Sequence, residues 1–142
     1  MVKVRLLPAV VLIATTLAGA AGAGEPHPQH RLPPVAEVEV LHNGARSEAI
    51  SSDLKPAACA DFALAPDDVR AYFRQARRTT ERQFTHDLEM SPCHAHGRLV
   101  LADGQRGDWF IDRERRGRLG LGDGRTLFFH CPACRAPAFD PP

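Results

Sequence analysis

The sequence predicts an α+β domain: an antiparallel β-meander of about four strands, preceded by an N-terminal strand or hairpin and packed with one main helix. Three observations predict it. From His96 to Cys134, four short apolar or alternating runs are separated by Asp-Gly and Gly turns, the rhythm of up-and-down strands. Before them, Val69, Tyr72, Phe73 and Ala76 fall at i, i+3, i+4 and i+7, a single helical stripe. Earlier still, residues 35–41 alternate apolar and acidic, as a half-buried strand does.

The chain opens with features of export. Lys3 and Arg5 precede an apolar stretch over 6–18, broken only by Pro8, Thr15 and Thr16. Small residues at Ala18-Gly19-Ala20 and Ala21-Gly22-Ala23 suit a signal peptidase, so residues 1–23 read as a signal peptide cut after Ala23, with Ala20 as the alternative. The apolar stretch falls short of the ~20 residues a spanning helix needs, and no membrane span is expected after cleavage. Periplasmic or secreted residence follows. Residues 24–34 are proline-rich and read as a disordered lead-in, and 35–142 as one small domain.

Charge excludes some partners. The chain has 18 basic and 17 acidic residues, and loss of Lys3 and Arg5 would leave 16 against 17, a formal charge of −1. Such a balance gives no electrostatic case for nucleic acid.

Within the domain, Ala36, Val38 and Val40 are expected on one face of the first strand, with Glu37 and Glu39 on the other. Asn43-Gly44 is a strong hairpin signal, so residues 45–50 are a candidate returning strand. Pro66 suits the first turn of a helix, and Asp67 and Asp68 complement its positive end. Arg70, Arg74, Arg77 and Arg78 then form its solvated side. Residues 79–90 fit a helical or an extended spacing equally, and Ser91-Pro92 ends any helix. In the meander, Leu99 with Leu101, Trp109 with Ile111 and Leu119 with Leu121 share one face, while Val100, Phe110 and Phe128 point to the other. Both faces are thus partly apolar. One is expected against the helix and the other against the N-terminal strands.

The chemistry concentrates at the ends of the meander, where Cys93, His94 and His96 stand at the entrance and His130, Cys131 and Cys134 at the exit. In a four-stranded meander those ends share a rim, about 14 Å apart across three spacings of about 4.8 Å in a flat sheet. Four cysteines in an exported chain read first as two disulfides. The favoured pairing is Cys59–Cys93 with Cys131–Cys134; the shared rim supports a rival, Cys93 with Cys131 or Cys134. If the thiols are reduced, Cys93, His96, Cys131 and Cys134 could instead form a zinc or copper site. The Cys131-Pro132-Ala133-Cys134 motif also raises thiol–disulfide exchange, but proline-rich residues follow it where a helix would be needed to activate the first thiol. No catalytic residues stand out: Ser91 lacks a nucleophile elbow, and Gly120-Leu121-Gly122 lacks the helix and the Lys-Ser/Thr of a phosphate loop.

Cys59, the run Val69-Arg70-Ala71-Tyr72-Phe73, His86-Asp87-Leu88, Ser91-Pro92-Cys93, Gly97-Arg98-Leu99, Ala102-Asp103-Gly104, Trp109 and the final His130-to-Cys134 segment together resemble a group of small exported proteobacterial proteins. The resemblance spans most of the mature chain. It implies a secreted module and brings no activity, cofactor or substrate with it. The functional expectation is a non-catalytic binding or structural protein of the cell envelope, its partner another envelope or extracellular protein.

Overall fold

A computed structural model describes residues 31–50, 53 and 55–140. The expected signal peptide, and the lead-in as far as residue 30, lie outside the described residues. Six strands form one antiparallel sheet: β1 (Val35–Arg46), β2 (Arg77–Thr79), β3 (Cys93–Leu101), β4 (Arg106–Asp112), β5 (Arg116–Leu121) and β6 (Thr126–His130). Their order across the sheet is β1-β3-β4-β5-β6-β2. The fold is α+β, and its principal helix, α1 (Pro66–Gln75), is short. Among the described residues no helix is long and apolar enough to cross a membrane.

The meander β3 to β6 forms as its alternation predicts. Ala95 stands opposite Ile111, Gly97 opposite Trp109, Trp109 opposite Leu119 and Leu119 opposite Leu127. These positions share one face and, with Leu99, Leu101, Leu121 and Phe129, they are buried. Helix α1 lays Val69, Tyr72 and Phe73 on that face. The Ala65 amide donates to the Asp68 carboxylate at 2.8 Å, satisfying an N-terminal N–H. Phe73 meets Phe129 edge-on at 5.3 Å, and Tyr72 crosses Gly117 so closely that a Cβ there would lie 2.5 Å from the phenol oxygen. Phe62 and Phe139, 5.9 Å apart, complete the cover.

Four expectations are corrected. Asn43-Gly44 makes no hairpin; β1 runs on through Ala45 and Arg46, which pair with His94 and Cys93. The register slips one residue between His42 and Ala45, a bulge made possible by the left-handed Gly44 at φ +64°. The Asn43 side chain accepts from the Leu64 amide at 2.9 Å, and the Gly44 amide donates to the Phe62 carbonyl at 2.7 Å. The dipeptide thus clasps the segment leading to α1 instead of turning the chain back.

A second bulge, between Val35 and Glu37, turns Ala36 outward and puts Val35 with Val38 and Val40 against the core. The N-terminal strand also does not cover a face. It joins the sheet at the free edge of β3, where its backbone groups find partners and its valines still reach the core. Finally, α1 stops at Gln75 because Ala76 turns extended and Arg77–Thr79 pairs with β6. Arg77 and Arg78 therefore belong to an edge strand, and residues 83–87 form only a short π-helical turn. The lead-in, where described, is tied down: Leu32 packs on the core and the Pro34 carbonyl accepts from the Ala102 amide at 2.8 Å.

Candidate functional site

Strand alternation divides the cysteines from the histidines. Cys93 faces the core and is bonded to Cys59; Cys131 is bonded to Cys134, and none of these cysteines is free. His94 and His96, next to Cys93 in sequence, alternate onto the opposite face of β3. The rim expected from the meander exists, since His94 stands opposite Asp112 on β4 and Arg116 opposite His130 across β5 and β6. In this oxidised form, however, Cys93, Cys131 and Cys134 offer no thiolate to join His96 around an ion. Among the described residues no three His, Cys, Asp or Glu side chains are placed to hold a metal. Cys131 and Cys134 are each only 2% exposed, and the Arg115 guanidinium donates to the Cys134 carbonyl at 3.1 Å. An attacking thiolate has little access to that bridge.

The second face of the sheet carries different side chains from the first. His42 of β1 lies opposite His96 of β3, His96 opposite Phe110 of β4, Phe110 opposite Arg118 of β5 and Arg118 opposite Phe128 of β6. The His42 and His96 rings stack 5.7 Å apart with only 7° between their planes, and His94 lies 5.6 Å from His96. Phe110 joins the group 4.7 Å from His94, with the Arg118 guanidinium 5.4 Å over its ring. His94 Nδ1 is 3.2 Å from the Pro92 carbonyl. A carbonyl only accepts, so Nδ1 carries the proton and the neutral ring leaves Nε2 as a lone pair. Burial lowers the His94 pKa; His96, His42 and Arg118 lower it further, against the hydrogen bond to Pro92.

One end of this face is closed. Asp112 is fully buried and accepts from Arg116 Nε at 2.8 Å and from the Arg116 amide at 3.1 Å. Arg116 donates onward to the Phe84 carbonyl and lies 4.5 Å over the Phe84 ring. This pair pins the π-helical turn onto β5 and β6. Burial pushes the Asp112 carboxyl up to about 6, against the Arg116 guanidinium and the Arg116 and Ser91 amides, which hold it down. The adjacent Tyr72 phenol is pushed up by burial and by Asp112, and donates to the Arg115 carbonyl at 2.9 Å.

The rest of the face is a shallow trough. A groove of about 630 Å³ runs between the Phe84 turn and a floor of Asp108, Arg118, Gly120 and Phe128. A second, of about 550 Å³, continues past Asp108 and Gly120 to Glu37, Glu39, Arg98 and Arg106. Both grooves mix acids and arginines: Arg118 with Glu81 and Asp108 in the first, and Glu37, Glu39, Arg98 and Arg106 in the second, where Arg98 and Asp108 are 3.7 Å apart. The imidazoles stand on the same face beyond the groove linings.

The histidine group escaped the reading by motif because His42 and His96 meet only through the β1–β3 register. The usable signal was His94-x-His96, an i, i+2 pair that must share one strand face. Comparison with protein-family models, with curated proteins and with solved structures returns no match.

Proposed function

We propose that the chain is an exported, disulfide-stabilised binding domain of the cell envelope, without catalytic activity of its own, whose ligand surface is the histidine- and arginine-bearing face of the sheet. The observation that carries this reading is the contrast in cover. One face is sealed by α1, Phe62 and Phe139, whereas the other leaves His42, His94, His96, Phe110, Phe128 and the Arg118 guanidinium half-buried or exposed, and Phe128 and Arg118 line one of two adjoining grooves. Half-buried rings with a few polar groups around them are the usual make-up of a recognition surface. The two bridges fit an oxidising compartment, as does the signal-like N-terminus of the sequence. The polar groups that chemistry would need are engaged structurally: Asp112 with Arg116, Tyr72 with Arg115, and the Ser91 hydroxyl with the Cys93 amide at 3.1 Å.

The test is an intact mass with a thiol count and metal analysis, on protein taken from the periplasm under non-reducing conditions. The proposal expects loss of residues 1–23 or 1–20, no free thiol and no stoichiometric metal. Free thiols with about one zinc or copper per chain would replace it with the Cys/His metal reading. A Cys131–Cys134 bridge that exchanges readily with glutathione would replace it with thiol–disulfide exchange.

A further inference from the structure

We propose that the His94, His96 and Arg118 end of the open face is an oxyanion site, binding a phosphate or carboxylate group together with protons. This names the ligand chemistry of the binding face and rests on that reading. Three observations carry it. First, Arg118 has no carboxylate or other hydrogen-bonding partner among the described residues; its guanidinium is held over Phe110. A guanidinium spread on an aromatic ring keeps its N–H fork free for a bidentate anion.

Second, three imidazoles crowd beside it with no acid among them. From β1 the group facing His94 is His42, from its own strand His96, from β5 Arg118, and from β4 the uncharged Phe110. Asp112, opposite His94 in register, is consumed by Arg116. Arg46 stands opposite Cys93, on the other face. Asp108 and Glu81 line the groove that Arg118 also lines, but the charged groups acting on His94 itself, His96, His42 and Arg118, are all basic, and a bound anion relieves their repulsion. Third, the His94 tautomer is fixed by Pro92. The neutral ring presents a lone pair, which repels an oxyanion, and the protonated ring presents an N–H, which binds one. Proton and anion uptake are then coupled, each strengthening the other by the same factor.

The experiment is an NMR titration of the His94 Cε1–H resonance against pH in the oxidised protein. It is run in chloride, in inorganic phosphate and in acetate at equal ionic strength. The expected result is a His94 midpoint raised by about half a unit or more in phosphate or acetate over chloride, about threefold in affinity per proton. The more effective anion identifies the group. Arg118→Gln abolishes the displacement and Arg74→Gln, on α1, leaves it unchanged. Equal midpoints in all three salts would overturn the proposal, as would a displacement that survives Arg118→Gln. Broadening of the three histidines by one equivalent of zinc, with no anion effect, would overturn it in favour of a metal. Amide shifts caused by either anion separate the two levels. Shifts on β3 to β5 without a moved midpoint would remove the proton linkage and keep the binding face, while shifts confined to α1 would remove both.

Discussion

The two faces of one sheet are built from alternate residues of the same strands, yet they do different work. On β4, Trp109 and Ile111 are at most 1% exposed, while Asp108 and Phe110, their immediate neighbours, stand in or beside the open grooves. On β3, Cys93, Ala95 and Leu99 seal the core while His94 and His96 form the imidazole group. The difference shows how a period of two lets one short strand specify a core and a surface independently. It also separates two kinds of mutational effect. Changes on the sealed face are expected to act on folding, and under the proposed function changes at the exposed part of the open face act on binding.

The sharpest way to break the comparison is to empty the sealed face. Trp109→Ala removes the largest fully buried side chain, together with the indole N–H that donates to the Glu39 and Arg98 carbonyls. The expected loss is about 3–5 kcal/mol, read from urea unfolding. The corresponding change across the sheet, Phe110→Ala, should cost clearly less. Next in size is the longer bridge. Cys59–Cys93 spans 34 residues, and replacing both cysteines by alanine should destabilise the oxidised protein by about 3–4 kcal/mol. Removing Cys131–Cys134, three residues apart, should cost less, because so short a loop restricts the unfolded chain little.

Asp112 sharpens the comparison through pH. Its carboxyl is raised from 3.8 to about 6, so between those values the folded state holds the proton more tightly than the unfolded chain. Its contribution to stability is therefore fully present below about 4 and declines as pH rises to about 6, by on the order of 2–3 kcal/mol. The advantage of wild type over Asp112→Asn should shrink across that window. An advantage that grows would mean that Arg116 outweighs burial. His94 runs the opposite way: its lowered pKa makes its contribution fall as pH drops below the usual histidine value. The smallest effect on folding belongs to Arg118→Gln, whose unfolding free energy should match wild type within about 0.5 kcal/mol, as for surface changes generally.

Legibility in the sequence followed how local each determinant was. The meander, the start of α1 at Pro66 and the apolar pairs of β3 to β5 rest on spacing within a few residues, and they form as read. The favoured pairing, Cys59–Cys93 with Cys131–Cys134, is the one the structure contains. Asn43-Gly44 misled because a turn signal competes with tertiary partners, and here Leu64 and Phe62 outbid the hairpin. The end of α1 was unreadable because no glycine or proline marks it; pairing of Arg77 with His130 ends it. The two-faced character was visible only in part. Alternation places Val100, Phe110 and Phe128 on the second face, but the expectation that the N-terminal strands cover one face fails, because β1 extends the sheet instead. The Cys/His rim misled in another way: it grouped residues by position along the strand and ignored the alternation that puts Cys93 and His96 on opposite faces.

The measurement that tests the central claim most directly is site-specific photocrosslinking in living cells. A photoreactive residue is placed at position 128 on the open face and, separately, at position 74 on α1, with both variants first shown to be exported and fully oxidised. The account predicts adducts with an envelope component from position 128 and none from position 74, and their loss when Arg118→Gln is added. Adducts from position 74 alone, or equally from both positions, would contradict it.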